Sequence, residues 1–276
     1  MSASSLPYTL LILLAELAVG SLAMVTVFDA RRQVTTGYVK AGALTIVPLA
    51  VFAMWTYLAI TPASEVDGYR LSEGWYRPAG VLLAGFLGIS GLHMLFALRE
   101  AHDRGVVAGA AGSAVGLLAV IVLAVYVSGP AWSTAGVVLS VLSSTAVLGG
   151  ALMAMMWGHW YLTSGRLPKE PMEQMSLVVL FALIVQAVLV LLGAVLPVRE
   201  VPLSDGLGVR LMENPAFWLR VGVGLAFPVV VTWLAWRAAR IRGMMSATGL
   251  LYIALGALLA GEALARGLLF STGQAV

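Results

Sequence analysis

The chain has 276 residues, 61% of them hydrophobic and only 11% charged, with a mean hydropathy of +0.97 and a formal net charge of +3. An ordinary soluble domain is about 45–50% apolar and about 25% charged. This balance excludes a disordered chain, a nucleic-acid binder and a soluble globular enzyme, and it reads as an all-α integral membrane protein with lipid as its solvent.

Eight apolar runs are long enough to cross a bilayer, which takes about 20 residues per helix. In chain order they cover residues 7–28, 41–61, 78–98, 106–128, 132–162, 175–196, 216–236 and 247–268. The first basic residue is Arg31, so no positive segment precedes the first run, and it reads as a retained helix rather than a cleaved signal. The fifth run is overlong, which implies tilt or an extension beyond the membrane.

Lysine and arginine set the orientation. The connections after helices 1, 3, 5 and 7 hold Arg31, Arg32, Lys40, Arg99, Arg104, Arg166, Lys169, Arg237, Arg240 and Arg242. The opposite side holds six, Arg70, Arg77, Arg199, Arg210, Arg220 and Arg266, in longer loops shared with Asp and Glu. The excess places the first set in the cytoplasm and both termini outside. The bias of 14 Arg to two Lys is that of a GC-rich bacterial genome, so the expected location is a bacterial cytoplasmic (inner) membrane. Tryptophans fall in two belts, with Trp75, Trp132 and Trp218 at one interface and Trp157, Trp160, Trp233 and Trp236 at the other.

Three pairs of short segments match in the same order along the chain. Arg99-Glu-Ala-His-Asp-Arg-Gly105 resembles Arg237-Ala-Ala-Arg-Ile-Arg-Gly243, Gly68-Tyr-Arg-Leu71 resembles Gly208-Val-Arg-Leu211, and Thr35-Thr-Gly37 resembles Thr163-Ser-Gly165. They imply a tandem repeat, residues 1–128 (helices 1–4) and 129–276 (helices 5–8), related by an axis along the membrane normal.

Ionisable residues at membrane depth are costly and mark function or tight pairing. Glu16, in the middle of helix 1, is the candidate proton relay. Glu262 and Arg266 are four apart near the outer end of helix 8, a favourable pair whose simplest reading is snorkelling to the interface. Gln186 reads as glue between helices. His93 and His159 sit at matching depths near the cytoplasmic ends of helices 3 and 5, the pattern needed for two imidazoles to ligate one haem b iron. His159, Trp160 and Tyr161 also offer three polar tips at the interface, suited to a quinone headgroup. His102 reads as a solvated loop histidine.

Cysteine is absent, so disulfides, thiolate zinc sites, covalent c-type haem and an iron–sulfur cluster held by this chain are excluded. No Walker A, HExxH or G-x-S-x-G motif occurs, and Lys40 and Lys169 both fall in loops. With eight helices, short cytoplasmic loops, Glu16-Leu-Ala-Val-Gly20 in helix 1 and Gly158-His-Trp-Tyr-Leu162 at one interface, the chain resembles the polytopic membrane-anchor subunits of bacterial respiratory oxidoreductases. That resemblance implies a quinone-site or non-catalytic subunit that anchors a redox partner and exchanges electrons with the quinone pool, with haem b at His93 and His159. Two other functions fit the same sequence: a secondary transporter or channel, and a structural or assembly subunit. Lipid surrounds the chain in each of them.

Overall fold

The structure, a computed structural model, describes residues 4–164, 167–201 and 211–276. The chain is an all-α, multi-pass membrane protein, with eight helices among the described residues long and apolar enough to span a bilayer. They are α1 (Leu6–Ala30), α2 (Thr36–Ala59), α3 (Tyr76–Leu98), α4 (His102–Tyr126), α5 (Thr134–Ser164), α6 (Glu170–Val195), α7 (Pro215–Arg240) and α8 (Met244–Thr272). A two-stranded hairpin, β1 (Glu65–Val66) and β2 (Tyr69–Arg70), lies between α2 and α3.

Most helices extend beyond the apolar runs because helical turns continue outside the hydrocarbon layer, where polar residues are tolerated. α2 starts where the Thr35 side chain accepts from the Tyr38 amide at 3.4 Å, five residues before its apolar run. The overlong fifth run is one continuous 31-residue helix.

Helices α1–α4 pack in a closed ring, α1 on α2, α2 on α3, α3 on α4 and α4 on α1. Helices α5–α8 close in the same cyclic order. The rings meet mainly through α1 and α5, flanked by α4 on α5 and α8 on α1, contacts that map onto one another when the two sets of four are exchanged; the contact of α2 with α5 departs from that symmetry. α1 and α5 are the two most enclosed helices. Their close approach needs glycine: a Cβ on Gly20 would run into the Thr145 carbonyl, and one on Gly149 into the Gly20 backbone.

The turns after α1, α3 and α7 share one geometry. Arg32, Glu100 and Arg242 each adopt a positive φ two residues past the helix end. In each turn the next amide reaches back to a helix carbonyl, Gln33 to Phe28, Ala101 to Phe96 and Gly243 to Ala238. Measured from these helix ends, the Arg99–Gly105 match to 237–243 is four residues out of register, although both segments lie at corresponding turns. The partners of the other two matches include residues 165 and 208–210, which lie outside the described residues. Below, the side carrying these turns is the short-turn face and the other is the long-loop face.

Candidate functional site

The inter-helix packing of α1, α5, α6, α7 and α8 encloses a network of ionisable and polar side chains inside the membrane. Its members are Glu16 on α1, Ser140 and Ser144 on α5, Gln186 on α6, Arg220 on α7, and Glu262 and Arg266 on α8. All are buried, and the four charged ones are at most 1% exposed. Counted along their helices at 1.5 Å per residue, they lie about 7–15 Å below the long-loop face.

The charges alternate. Arg266 Nη2 meets Glu16 Oε1 at 2.5 Å and Glu262 Oε2 at 3.8 Å, while Arg220 Nη1 meets Glu262 Oε1 at 3.3 Å. Glu262 accepts from Ser144 Oγ at 2.7 Å and from Gln186 Nε2 at 2.7 Å. Arg220 Nη2 donates to Gln186 Oε1 at 3.1 Å, and Arg266 Nη2 to Ser144 Oγ at 2.9 Å. Two guanidiniums and two carboxylates sum to no net charge, the condition under which ionised groups persist away from water. Glu16 Oε2 and the Nε atoms of both arginines find no hydrogen-bond partner among the described residues.

Local sequence explains the second-ring half of this site. Pro228 has no amide hydrogen to give the carbonyl four residues back, which is Gly224. α7 responds with a π-helical turn over Gly222–Ala226, closed by the Phe227 amide on the Gly222 carbonyl. The freed Gly224 carbonyl accepts from Arg220 Nη1 at 3.1 Å instead. Gly224 and Gly261 have no room for a Cβ between them, so α7 and α8 approach closely enough for Arg220 to reach Glu262.

The residues expected to act are therefore divided. Glu16 is in the network. Arg266 is not a snorkelling interface residue, because its guanidinium turns into the protein, where Glu16 and Glu262 hold it. Arg220, grouped with the loop arginines in the sequence, is a buried intramembrane cation. The only signals available for it were its place five residues inside the seventh helix and the nearby Pro228.

The two histidines are not brought together. His93 is buried between α3 and α4, with Nδ1 3.0 Å from the Gly105 carbonyl. His159 is exposed on α5, which packs on α1, α6 and α8, and part-buried Trp160 and Tyr161 follow it. Trp160 lies against Gly37 at the start of α2. Trp157, expected in the interfacial belt, is instead fully buried edge-on to Tyr38, with ring centroids 5.0 Å apart. His102 is not in a loop: it opens α4 and pairs with Asp29 Oδ1 at 3.2 Å.

Fold and site together define a class, a multi-pass helical membrane protein with a charge-balanced network inside the bilayer. No protein-family model, no curated protein and no solved structure matches the chain.

Proposed function

We propose that the protein is a proton-linked secondary transporter of small anions in a bacterial cytoplasmic membrane, with its short-turn face in the cytoplasm. The observation that carries this reading is the Glu16–Arg266 pair, which joins the first ring to the second inside the membrane. Ionisable groups held at membrane depth typically serve ion or substrate pathways. Transport sites typically lie where like halves meet, beside helices whose regularity is broken, and the π-helical turn of α7 is such a break. Protonating Glu16 leaves the network with one positive charge in excess, centred on Arg266. A small anion such as a carboxylate neutralises that excess, so proton and anion travel together. The same protonation removes the charge tie between α1 and α8 and frees the rings to move.

The chain has no cysteine, so spin labels can be placed cleanly at exposed Leu58 and Val195, near the long-loop ends of α2 and α6. In liposomes, the distance between labels in L58C/V195C is expected to change between pH 8 and pH 5, and to stay fixed when Glu16→Gln is added. Uptake of small carboxylates driven by an inward proton gradient should be lost in the same variant. A label distance indifferent to pH would sink the proposal.

A second reading is favoured by one observation, the exposed His159 beside Trp160 and Tyr161 at the short-turn end of α5. There the chain would be a membrane subunit of a respiratory complex touching a quinone headgroup and docking other redox subunits. Quinone retained after purification, and lost in His159→Ala, supports it. A bis-histidine haem b between His93 and His159 gains no support from the packing, which buries one imidazole between α3 and α4 and exposes the other on α5.

A further inference from the structure

α1 carries two acidic residues, and they lie in opposite halves of the membrane. Glu16 belongs to the charged network. Asp29 is thirteen residues on, about 20 Å along the axis, at the short-turn end. It is buried and faces His102 Nδ1 at 3.2 Å. Close by, His93 is 1% exposed and its ring fits against Gly109, where a Cβ would meet both His93 Nδ1 and Thr26 Oγ1.

The hydrogen bonding fixes the tautomer of neutral His93. A carbonyl only accepts, so the contact to the Gly105 carbonyl requires the proton on Nδ1. In the neutral ring Nε2 is a bare lone pair, buried and without a hydrogen-bond partner among the described residues. The Thr26 hydroxyl is also buried and unbonded among them. A cavity of about 40 Å³ lies beside the Asp29–His102 pair, lined also by Thr36, Glu100 and the His93 partner Gly105, and is large enough to hold water.

We propose that His102, Asp29 and His93 form a proton-exchange site at the short-turn end of α1. His102, part-exposed, takes a proton from bulk water. Asp29 passes it inward, and His93 Nε2 holds it as an imidazolium whose charge Asp29 balances. No bond other than N–H and O–H changes and no electron moves. The remaining charges around the site are already engaged. Arg32 faces Asp103 at 4.0 Å, and Lys40 Nζ holds Glu100 Oε1 at 2.7 Å, which keeps the Glu100 carboxyl below its usual range and ionised. Asp29 is thus the carboxylate free to exchange. This inference rests on the proton-linked reading above, for which the site supplies protons from the side opposite Glu16.

Three histidines make the test direct. Nitrogen-15 imidazole spectra of the full chain in liposomes can be assigned by single His→Gln variants. The His93 Nε2 resonance is expected to move with pH between 5 and 8 and to lose at least nine-tenths of that movement in Asp29→Asn, which removes the balancing charge, while His102→Gln slows exchange of that proton with bulk water at least tenfold. The His159 resonance should be the same in all of them. A His93 resonance that ignores pH, that moves in Asp29→Asn as it does in the wild type, or whose proton exchange is as fast in His102→Gln as in the wild type, overturns the proposal. Glu16→Gln separates the two ideas. If it abolishes the label-distance change but leaves the His93 response intact, each stands on its own. A pH-indifferent label distance with a normal His93 response sinks only the transporter reading.

Discussion

The two rings share an order of packing but place their buried acidic, basic and imidazole groups at opposite ends. In the first ring, α1–α4 meet through apolar and small residues for most of their depth, and the ionisable groups Asp29, His93 and His102 gather at the short-turn face. In the second ring, Arg220, Glu262, Arg266 and Gln186 sit well inside the half of the membrane nearer the long-loop face. Among the described residues, only Glu16 crosses from the first ring into that intramembrane charge network. The difference teaches that like packing does not entail like chemistry: the departures from symmetry are the buried ionisable groups, and α1 touches both sets.

Breaking the second ring's network should have the largest effect. Glu262 faces both arginines and accepts from Ser144 and Gln186, so Glu262→Ala leaves two buried guanidiniums with one carboxylate. The expected loss is about 3–5 kcal/mol in thermal unfolding of the solubilised protein. Glu16→Gln should cost less, because Arg266 keeps Glu262 and Ser144. Asp29→Asn, whose ion-pair partner His102 is part-exposed, should cost less than ~1 kcal/mol. Equal losses at the three positions would erase the contrast between the rings.

Glycine substitutions sharpen the same contrast at smaller scale. Gly149→Ala drives a methyl into the α1 backbone, and Gly224→Ala drives one into α8. Each should lower stability by about 1–3 kcal/mol through overpacking. Gly88→Ala on α3 meets no atom within 4 Å and should be neutral or slightly stabilising. Pro228→Ala is subtler. It restores an amide that competes with Arg220 for the Gly224 carbonyl, so the π-helical turn relaxes and Arg220 loses a partner. The expected readout is a blunted pH response of the L58C/V195C label distance with little change in unfolding temperature.

Much of the fold is legible in the sequence because membrane helices announce themselves locally. A run of about 20 apolar residues needs no partner to be recognised, and all eight runs became helices. Helix ends were less legible, since polar residues such as Thr36 and Lys40 continue a helix past the hydrocarbon layer. The site was legible only in fragments. Glu16 stands out as an acid in an apolar run, but its partner Arg266 is 250 residues away, and no local pattern signals that pairing. Arg266 and Arg220 lie near helix ends, where snorkelling is the natural expectation, and burial is decided by which neighbours turn a carboxylate toward them. His102 was misplaced for the converse reason: the polar stretch after α3 looks like a loop, while the α3–α4 turn is so tight that α4 begins at His102 itself.

The smallest effect belongs to the solvent-facing pair Lys40–Glu100, which ties α2 to the α3–α4 turn of the first ring. Its hydrogen bond and charge hold the Glu100 carboxyl below its usual value in the folded protein. A carboxyl lowered on folding adds stability above its unfolded pKa and loses that contribution as pH falls through the folded one. Lys40→Gln should therefore lower the unfolding temperature slightly at pH 7, and the gap from the wild type should close in acid. The gap should also shrink with added salt, because the pair is exposed. Glu262→Ala, by contrast, should keep its full deficit in salt, since its partners are shielded from solvent ions. A salt-insensitive Lys40 effect, or a salt-sensitive Glu262 effect, would mean that the polar groups of the two rings do not differ in solvent access as their burial implies.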